Sequence, residues 1–298
     1  MLTRRVVLSG GLAGLALAWP AFSRQMKGRD VIRLPIEVTD SGLVVIGATI
    51  DCRRLRFLVD TGAEVSAIRR DLVGPLHLMR IGRRPLVGAD ARLVLADYEA
   101  HGVVFGGALT EPGVRLSAIP APGPYDGLMS CGFLTRSPSV LDYGAREIRL
   151  YPGGRLDLTG YAMIHARVAR RLDLAPRFLC PVSIDGLALS AMLDTGFETE
   201  LFLNAGIVRR HGLWDRFAVH EEKTFHGMAG KRLVTRVVDM PDLRLSNIGR
   251  RSVRVTLADP AGSGIPAIGA DAAIIGASLL RHFAIAFAGG DLLGFRSV

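Results

Sequence analysis

Residues 57–68 of the chain read FLVDTGAEVSAI, so an aspartate, Asp60, ends an apolar run and is followed at once by Thr61 and Gly62. A carboxylate at the end of a buried strand is costly unless it is paired or hydrogen-bonded. Aspartate and glycine are also ordinary turn residues. One copy of the motif therefore leaves two interpretations open, a structural turn or a carboxyl group with a function.

A second copy of the motif favours function. Residues 191–202 read AMLDTGFETELF, which places Asp194, Thr195 and Gly196 at the matching positions. The flanks agree as well, because TIDCRRLRFLVDTGAE at 49–64 aligns with SIDGLALSAMLDTGFE at 183–198. Two copies of a tripeptide with matching flanks indicate an internal duplication.

The length and composition fit two duplicated halves. The chain has 298 residues, of which 49% are hydrophobic and 22% charged, enough for each half to bury a core. Proline and glycine interrupt the pattern in YPGGRLDLTG at 151–160. We therefore predict a first domain at 31–152 and a second at 161–298.

The first residues predict export. Residues 1–23 combine a basic start, an apolar run and small residues before a cleavage site, which is typical of a signal peptide. The run is shorter than the roughly 20 residues that span a bilayer, so a permanent anchor is the weaker alternative. The stretch TRRVVL also resembles a twin-arginine export signal. We predict a periplasmic or secreted protein without a stable membrane anchor.

The remaining sequence predicts a mainly β fold. Short apolar runs alternate with Gly, Pro, Asn and Asp turns, as in LVVIGATI at 43–50 and SVRVTLA at 252–258. Helices are predicted to be few and short, at GFLTRS (132–137) and GASLLRHF (276–283).

Two further pairs of segments repeat in the same order. YDGLMSCGFL at 125–134 corresponds to DAAIIGASLL at 271–280. LVGADARLV at 86–94 corresponds to FHGMAGKRLV at 225–234, and both stretches are typical of hairpin tips. Each half thus carries three matching parts.

Charge and cysteine content exclude several other classes. The formal charge of +9 is scattered with few interleaved aromatic residues, so we predict no nucleic-acid binding. No C-x-x-C pair or H-E-x-x-H motif is present, so no zinc site is predicted. The odd set of Cys52, Cys131 and Cys180 is interpreted as buried small hydrophobic residues, with one disulfide and a leftover thiol as the alternative.

These repeated parts resemble the pepsin and retropepsin aspartic peptidases, specifically the bacterial retropepsin-like kind with two D-T-G lobes in one chain. The resemblance covers about residues 31–298. It implies a bilobal pepsin/retropepsin-like acid protease fold, in which two duplicated β-barrel-like lobes enclose a cleft. It also implies a monomer, because one chain supplies both aspartates.

The resemblance assigns roles by position. The catalytic pair would be Asp60 and Asp194. The residues that support the catalytic loops would be Thr61, Gly62, Thr195, Gly196, Ser130 and Gly276, with the threonines bonding across the lobe interface and the first two glycines allowing a tight turn. The substrate-binding residues would be Glu64, Glu198 and the flap-tip glycines Gly88 and Gly227. For the two glutamates, a solvated turn position preserved by the duplication is the alternative.

Two positions depart from the family pattern. Ser130 stands where the family has glycine, so a side chain would crowd the loop of Asp60. Phe197 follows the second D-T-G where the family usually has a small residue. We expect Phe197 to narrow the cleft or displace a hydrogen bond to Asp194, which would make the lobes unequal.

The predicted function is that of an exported aspartic endopeptidase, which hydrolyses peptide bonds with water activated between two aspartates. Such chemistry needs a base for the water proton and an acid for the carbonyl oxygen, and two carboxyl groups supply both. No metal or cofactor is predicted, and the partner is a peptide or protein substrate. The alternative is a catalytically weak or silent peptide-binding module on the same scaffold.

Overall fold

The computed structural model describes residues 31–87, 92–120, 123–226, 232–265 and 268–298. Strands hold 57% of the chain and helices 7%, which confirms the prediction of a mainly β protein. None of the helices in these ranges is long and apolar enough to cross a membrane.

In the described part of the chain, ten strands and two short helices precede the proline- and glycine-containing stretch at 151–160. The strands are β1 (Ile32–Val38), β2 (Val44–Ile50), β3 (Arg53–Asp60), β4 (Ala67–Arg69), β5 (Met79–Val87), β6 (Arg92–Phe105), β7 (Leu109–Ile119), β8 (Gly127–Ser130), β9 (Ser139–Asp142) and β10 (Glu147–Leu150). The helices are a 3-10 turn (Arg70–Leu72) and α1 (Gly132–Thr135).

Among the described residues after this stretch there are eleven strands and two helices. The strands are β11 (Ala162–His165), β12 (Arg167–Ala169), β13 (Arg177–Ile184), β14 (Leu187–Asp194), β15 (Leu201–Leu203), β16 (Val219–His226), β17 (Arg232–Leu245), β18 (Ile248–Ala258), β19 (Ala273–Gly276), β20 (Phe283–Gly289) and β21 (Leu292–Ser297). The helices are α2 (Ala205–Arg210) and α3 (Ala277–Leu280).

Six strands of the first half close into a barrel. Their order is β2-β3-β8-β4-β7-β6, and the additional pairing of β2 with β6 closes the ring. Closure leaves no free edge among these six strands. Strand β5 extends the sheet beyond β6 as an edge strand.

The second sheet repeats this strand order. It runs β13-β14-β19-β15-β18-β17, with an additional pairing of β13 with β17. The register repeats too, because Val45 pairs with Leu58 in the first half and Leu179 pairs with Met192, at the aligned positions, in the second. The duplication inferred from the sequence is therefore matched in strand pairing.

A run of six strands joins the two halves. In the order β11-β21-β20-β9-β10-β1, the hairpin β9-β10 of the first half lies beside the hairpin β20-β21 of the second. The central pairing is antiparallel and sets Leu141 opposite Ile285. Backbone hydrogen bonds across β9 and β20 thus fix one half against the other.

The hairpins that lead to the two aspartates have matching turns. Asp51 and Cys52 both have positive φ between β2 and β3, as do Asp185 and Gly186 between β13 and β14. Positive φ at both central residues defines a type I′ turn, which suits the twist of a two-residue hairpin. Cys52 (φ 60°) adopts the conformation that glycine provides in the second half.

The buried core includes two of the three cysteines. Cys131 and Cys180 are fully buried within a hydrophobic cluster that draws residues from both halves, while Cys52 is exposed. All three thiols are free, so the alternative of one disulfide is wrong. The interpretation as buried hydrophobic residues is correct for two cysteines and wrong for Cys52, because its turn lies at the surface.

Candidate active site

The two aspartates occupy equivalent strand ends. Asp60 is the last residue of β3 and lies beside Ser130 of the parallel strand β8. Asp194 is the last residue of β14 and lies beside Gly276 of the parallel strand β19. The apolar residues before each aspartate are buried in the barrel or second sheet, so each carboxyl group emerges where its strand leaves the core.

The two threonines interlock the strand ends. The Thr61 amide donates to Thr195 Oγ1 over 3.1 Å, and the Thr195 amide donates to Thr61 Oγ1 over 3.0 Å. Thr61 Oγ1 then donates to the Leu193 carbonyl (2.9 Å), and Thr195 Oγ1 to the Val59 carbonyl (2.6 Å). Both threonines are fully buried, so these four bonds have no competition from water.

This interlock brings the two carboxyl groups together. Asp60 and Asp194 are hydrogen-bonded to each other through their side chains. A Cβ added to Gly62 would lie 2.5 Å from the carboxyl carbon of Asp194, and one added to Gly196 would lie 2.5 Å from that of Asp60. Each glycine therefore makes room for the carboxyl group of the other half.

Burial raises the pKa of both carboxyl groups above the usual value. For Asp194 the negative charge of Asp60 raises the pKa further. For Asp60 the effect of burial is opposed by hydrogen bonds from Asp194, Ala63 and Gly62. Two carboxyl groups in contact cannot both ionise at low cost, so the pair retains one proton to higher pH than a lone aspartate would.

The backbone amides around the two carboxyl groups differ. Asp60 Oδ1 accepts from the amides of Gly62 and Ala63, each over 2.9 Å. Asp194 Oδ1 accepts from the Gly196 amide over 2.9 Å, whereas the Phe197 amide points at the Asp194 backbone carbonyl oxygen, 3.5 Å away. This agrees with the expectation that the phenylalanine position displaces a hydrogen bond to Asp194.

The Phe197 side chain forms one wall of the site. Its ring stacks on Phe225 of β16 with a centroid distance of 5.9 Å and meets Phe202 edge-on at 5.4 Å. Phe225 lies on the strand that leads toward the second predicted flap tip. The phenyl group thus ties the loop of Asp194 to that hairpin.

Ser130 and Gly276 support their loops in different ways. A Cβ on Gly276 would lie 2.5 Å from the Phe197 carbonyl oxygen, so only glycine fits beneath the second loop. Beneath the first loop, the Ser130 amide donates to Ser66 Oγ over 3.1 Å, and the two hydroxyl oxygens are 3.2 Å apart. The serine is accommodated by this bonding to Ser66 instead of crowding Asp60.

The two predicted substrate-binding glutamates have unlike surroundings. Glu64 is buried, and its carboxylate lies 3.2 Å from Arg177 and 3.5 Å from Arg171. Glu198 is exposed and accepts a hydrogen bond from Ser41 Oγ over 3.2 Å. Substrate binding by either residue stays a prediction, but only Glu64 borders the cavity above the aspartates.

One cavity of about 270 Å³ contains both aspartates. Its apolar lining comes from both halves and consists of Val65, Leu86, Ile119 and Leu128 from the first and Met192, Phe197, Ile265, Ile268 and Ile274 from the second. A concave apolar site with a few convergent polar groups is the usual form of a ligand-binding site.

The predicted flap-tip glycines, Gly88 and Gly227, lie outside the described residues. The hairpins that lead to them are described as far as Val87 and Arg92 in the first half and His226 and Arg232 in the second.

Sequence reasoning missed several residues that shape this site. Arg171 and Arg177 pair with Glu64 from more than 100 positions away, and no local pattern marks such a contact. Asn204 donates to the carbonyls of Ile265 and Gly269 and accepts from the Ile265 amide, which holds that loop against the cavity. An asparagine just before a short helix is a capping signal that could have identified Asn204.

Within the described ranges, no cluster of three His, Cys, Asp or Glu side chains could hold a metal ion. No protein-family model matches the chain, and no curated protein sequence is significantly similar to it.

Proposed function

We propose that this protein is an aspartic endopeptidase with the bilobal pepsin/retropepsin-like fold. The observation that carries the proposal is the pair of carboxyl groups of Asp60, half-buried, and Asp194, buried, which are hydrogen-bonded to each other inside one cavity. An isolated buried carboxylate would be destabilising, whereas two carboxyl groups that share a proton provide a base and an acid side by side.

The strand topology supports the two-lobe arrangement. The same six-strand order occurs in each half, and a further six strands join the halves through β9 and β20. The reciprocal threonine bonds lie between the equivalent loops. A cleft between two such lobes would hold an extended peptide by backbone hydrogen bonds, with its side chains in the apolar cavity.

In the proposed mechanism, the ionised carboxyl group takes a proton from water as the water attacks the scissile carbonyl carbon. The protonated carboxyl group donates its proton to the carbonyl oxygen, which gives a tetrahedral intermediate. The first carboxyl group then passes the proton it took from water to the leaving nitrogen, and the second takes back a hydroxyl proton. The C–N bond breaks to release an amine and an acid, and the pair again holds one proton.

Backbone amides donate to both carboxyl groups, those of Gly62 and Ala63 to Asp60 and those of Gly196 and Gly62 to Asp194. The pair shares one proton, so one carboxyl group is the base and the other the acid at the start of the cycle.

The proposal extends to export and assembly. Residues 1–23, which resemble a twin-arginine signal, would be removed as a signal peptide, and the mature protein would act in the periplasm or outside the cell. It would act as a monomer without a cofactor, since one chain supplies both carboxyl groups.

The second candidate is a peptide-binding module with little or no turnover. The observation that favours it is the inequality of the two loops, where Phe197 replaces Ala63 of the first half and its amide faces the Asp194 backbone oxygen instead of the carboxylate. Misaligned carboxyl groups would bind a peptide in the same cavity without activating water efficiently.

The two candidates are separated by incubating the mature protein with a diverse peptide library from acidic to neutral pH, with and without a pepstatin-type inhibitor. A peptidase gives new termini at defined sequences, and the inhibitor suppresses them. Peptides that are retained by the protein but remain intact at every pH would instead establish the binding module.

A further inference from the structure

A second cavity, of about 300 Å³, adjoins the cavity of the aspartates on the side of the first half. The two cavities share Glu64 and Val65 as a common border. We call it the Arg84–Arg115 cavity, and the residues that matter for its chemistry are Glu64, Ser66, Arg84, Arg115, Ser117 and Ser130.

The lining changes from apolar in the cavity of the aspartates to polar in the Arg84–Arg115 cavity over a distance of two residues along the same strands. Leu86 and Ile119 line the cavity of the aspartates, and two residues away on the same strands Arg84 and Ser117 line the second cavity. Residues i and i+2 of a strand share a face and lie about 7 Å apart. The side chains of an extended peptide repeat at the same spacing. When one side chain occupies the cavity of the aspartates, a nearby side chain of the same peptide therefore reaches the Arg84–Arg115 cavity.

The arginines of this cavity are held on a buried carboxylate. Arg84 Nε lies 2.7 Å and the Arg115 terminal nitrogen 2.9 Å from Asp97 Oδ2, and Ser117 Oγ donates to Asp97 Oδ1 over 2.6 Å. Asp97 is fully buried, so it anchors both guanidinium groups in fixed positions. Each guanidinium has five N–H donors, more than Asp97 can accept.

The local charge balance is positive. Glu64 is already paired with Arg171 and Arg177, and Arg84 also donates to the Asp173 backbone carbonyl over 3.2 Å. The four arginines of this region exceed its three carboxylates, those of Glu64, Asp97 and Asp173, by one charge.

The matching cavity of the second half is balanced. It measures about 510 Å³ and is lined by three basic residues, Lys223, Arg250 and Arg254, and three acidic residues, Glu198, Glu200 and Asp239. Among lining residues alone the first-half cavity is balanced too, with Arg84 and Arg115 against Glu64 and Asp173, so the excess positive charge on that side comes from Arg171 and Arg177, which pair with Glu64.

We propose that the Arg84–Arg115 cavity selects substrates with an acidic side chain at one position near the scissile bond. The carboxylate of the substrate accepts hydrogen bonds from the guanidinium groups of Arg84 and Arg115, which have more N–H donors than Asp97 can accept. This inference rests on the proposed function, because it assumes that an extended peptide occupies the cleft.

The test uses peptides that share one cleavable sequence and carry Glu, Gln or Lys at each position flanking the scissile bond in turn. At one position we expect kcat/KM for Glu to exceed that for Lys by about tenfold or more, since hydrogen bonds to charged groups are strong. Arg115→Gln should reduce this preference to about twofold, because Arg84 remains to hold Asp97. Arg83→Gln, an equal charge change at an exposed neighbour on β5, is the matched control and should keep the preference.

The outcomes distinguish this proposal from the proposed function. Cleavage without a preference for Glu at any position overturns the acidic pocket and leaves the peptidase intact. If no peptide is cleaved, the affinities of labelled Glu, Gln and Lys peptides are measured by fluorescence anisotropy. A preference for Glu that Arg115→Gln removes then supports the pocket on a non-catalytic protein, and equal or absent binding overturns it.

Discussion

At the scale of single residues, Gly62 and Gly196 are required by the opposing carboxyl group and not by a turn conformation. Both lie in the described part of the chain, and neither has a positive φ. A Cβ at either position would overlap the carboxyl group of the other half. Both glycines do lie in the turns that follow β3 and β14, as expected, and close approach of the opposing carboxyl group is what excludes a side chain there.

Gly196→Ala should remove most activity by displacing Asp60. The added methyl group would lie 2.5 Å from the Asp60 carboxyl carbon, so the carboxyl pair must separate. We expect kcat/KM to fall by about 100-fold or more, since a misplacement of about 1 Å has that effect. Gly47→Ala is the control, because a Cβ there meets nothing within 4 Å, and it should keep full activity. Equal activity of both variants would contradict the observed packing.

The raised pKa of Asp194 predicts a pH-dependent cost in stability. Folding raises this pKa above 3.8, so the folded protein holds the proton more tightly than the unfolded chain does. The contribution of the protonated Asp194 carboxyl group to the free energy of unfolding is fully present below about pH 3.8. It is lost as the pH rises through the folded-state pKa of Asp194. Asp194→Asn should therefore gain stability relative to wild type as the pH rises.

Thermal unfolding of wild type and Asp194→Asn from about pH 3 to about pH 8 measures this effect. We expect the Tm difference in favour of the variant to grow by on the order of 2 °C or more across this range. Asp40→Asn, the same substitution at an exposed position outside the cavity, serves as the control and should show no such trend. A Tm difference between wild type and Asp194→Asn that stays constant with pH, or that changes in favour of wild type, would mean that burial does not raise the pKa of Asp194.

At the scale of elements, the first hairpin turn carries a residue that its conformation does not favour. Cys52 has φ 60° in a type I′ turn where the second half has Gly186. We expect Cys52→Gly to raise the free energy of unfolding by about 0.5–1 kcal/mol by relieving this strain. Chemical denaturation measures the change, and Gly186→Ala should lower stability by a similar amount. A loss of stability in Cys52→Gly would show that the thiol contributes a contact.

The sequence predicted the strands and the placement of both aspartates, because these depend on local alternation and on a repeated motif. It did not predict how Ser130 is accommodated, since the Ser66 hydroxyl that bonds to it becomes a neighbour only when β8 pairs with β3. The arginine partners of Glu64 are likewise brought in by folding. Contacts between distant segments leave no periodic signal in the chain.

At the scale of the whole molecule, the halves are joined by the six-strand run, by the threonine interlock and by ion pairs, among them those of Glu64 with Arg177 and of Asp142 with Arg296. Glu64 of the first half is buried against Arg177 of the second, whereas the equivalent Glu198 is exposed. Removal of one partner from a buried ion pair leaves an uncompensated charge.

Glu64→Gln should therefore destabilise the protein by about 3 kcal/mol, and the matched variant Glu198→Gln by less than about 1 kcal/mol. Equilibrium unfolding in urea measures both losses in stability. We expect the free energy of unfolding to be highest for wild type, lower for Glu198→Gln and lowest for Glu64→Gln. Similar losses in the two variants would contradict the asymmetry between the halves.

We propose that Asp60 and Asp194 act as one unit to activate water. The decisive measurement is the turnover of a peptide substrate by Asp60→Asn, by Asp194→Asn and by the double variant. We expect each single variant to lose at least about 10³-fold in kcat while remaining folded, and the kcat of the double variant to be no lower than that of either, because the two groups act together. Activity close to wild type in either folded single variant would contradict a two-aspartate mechanism.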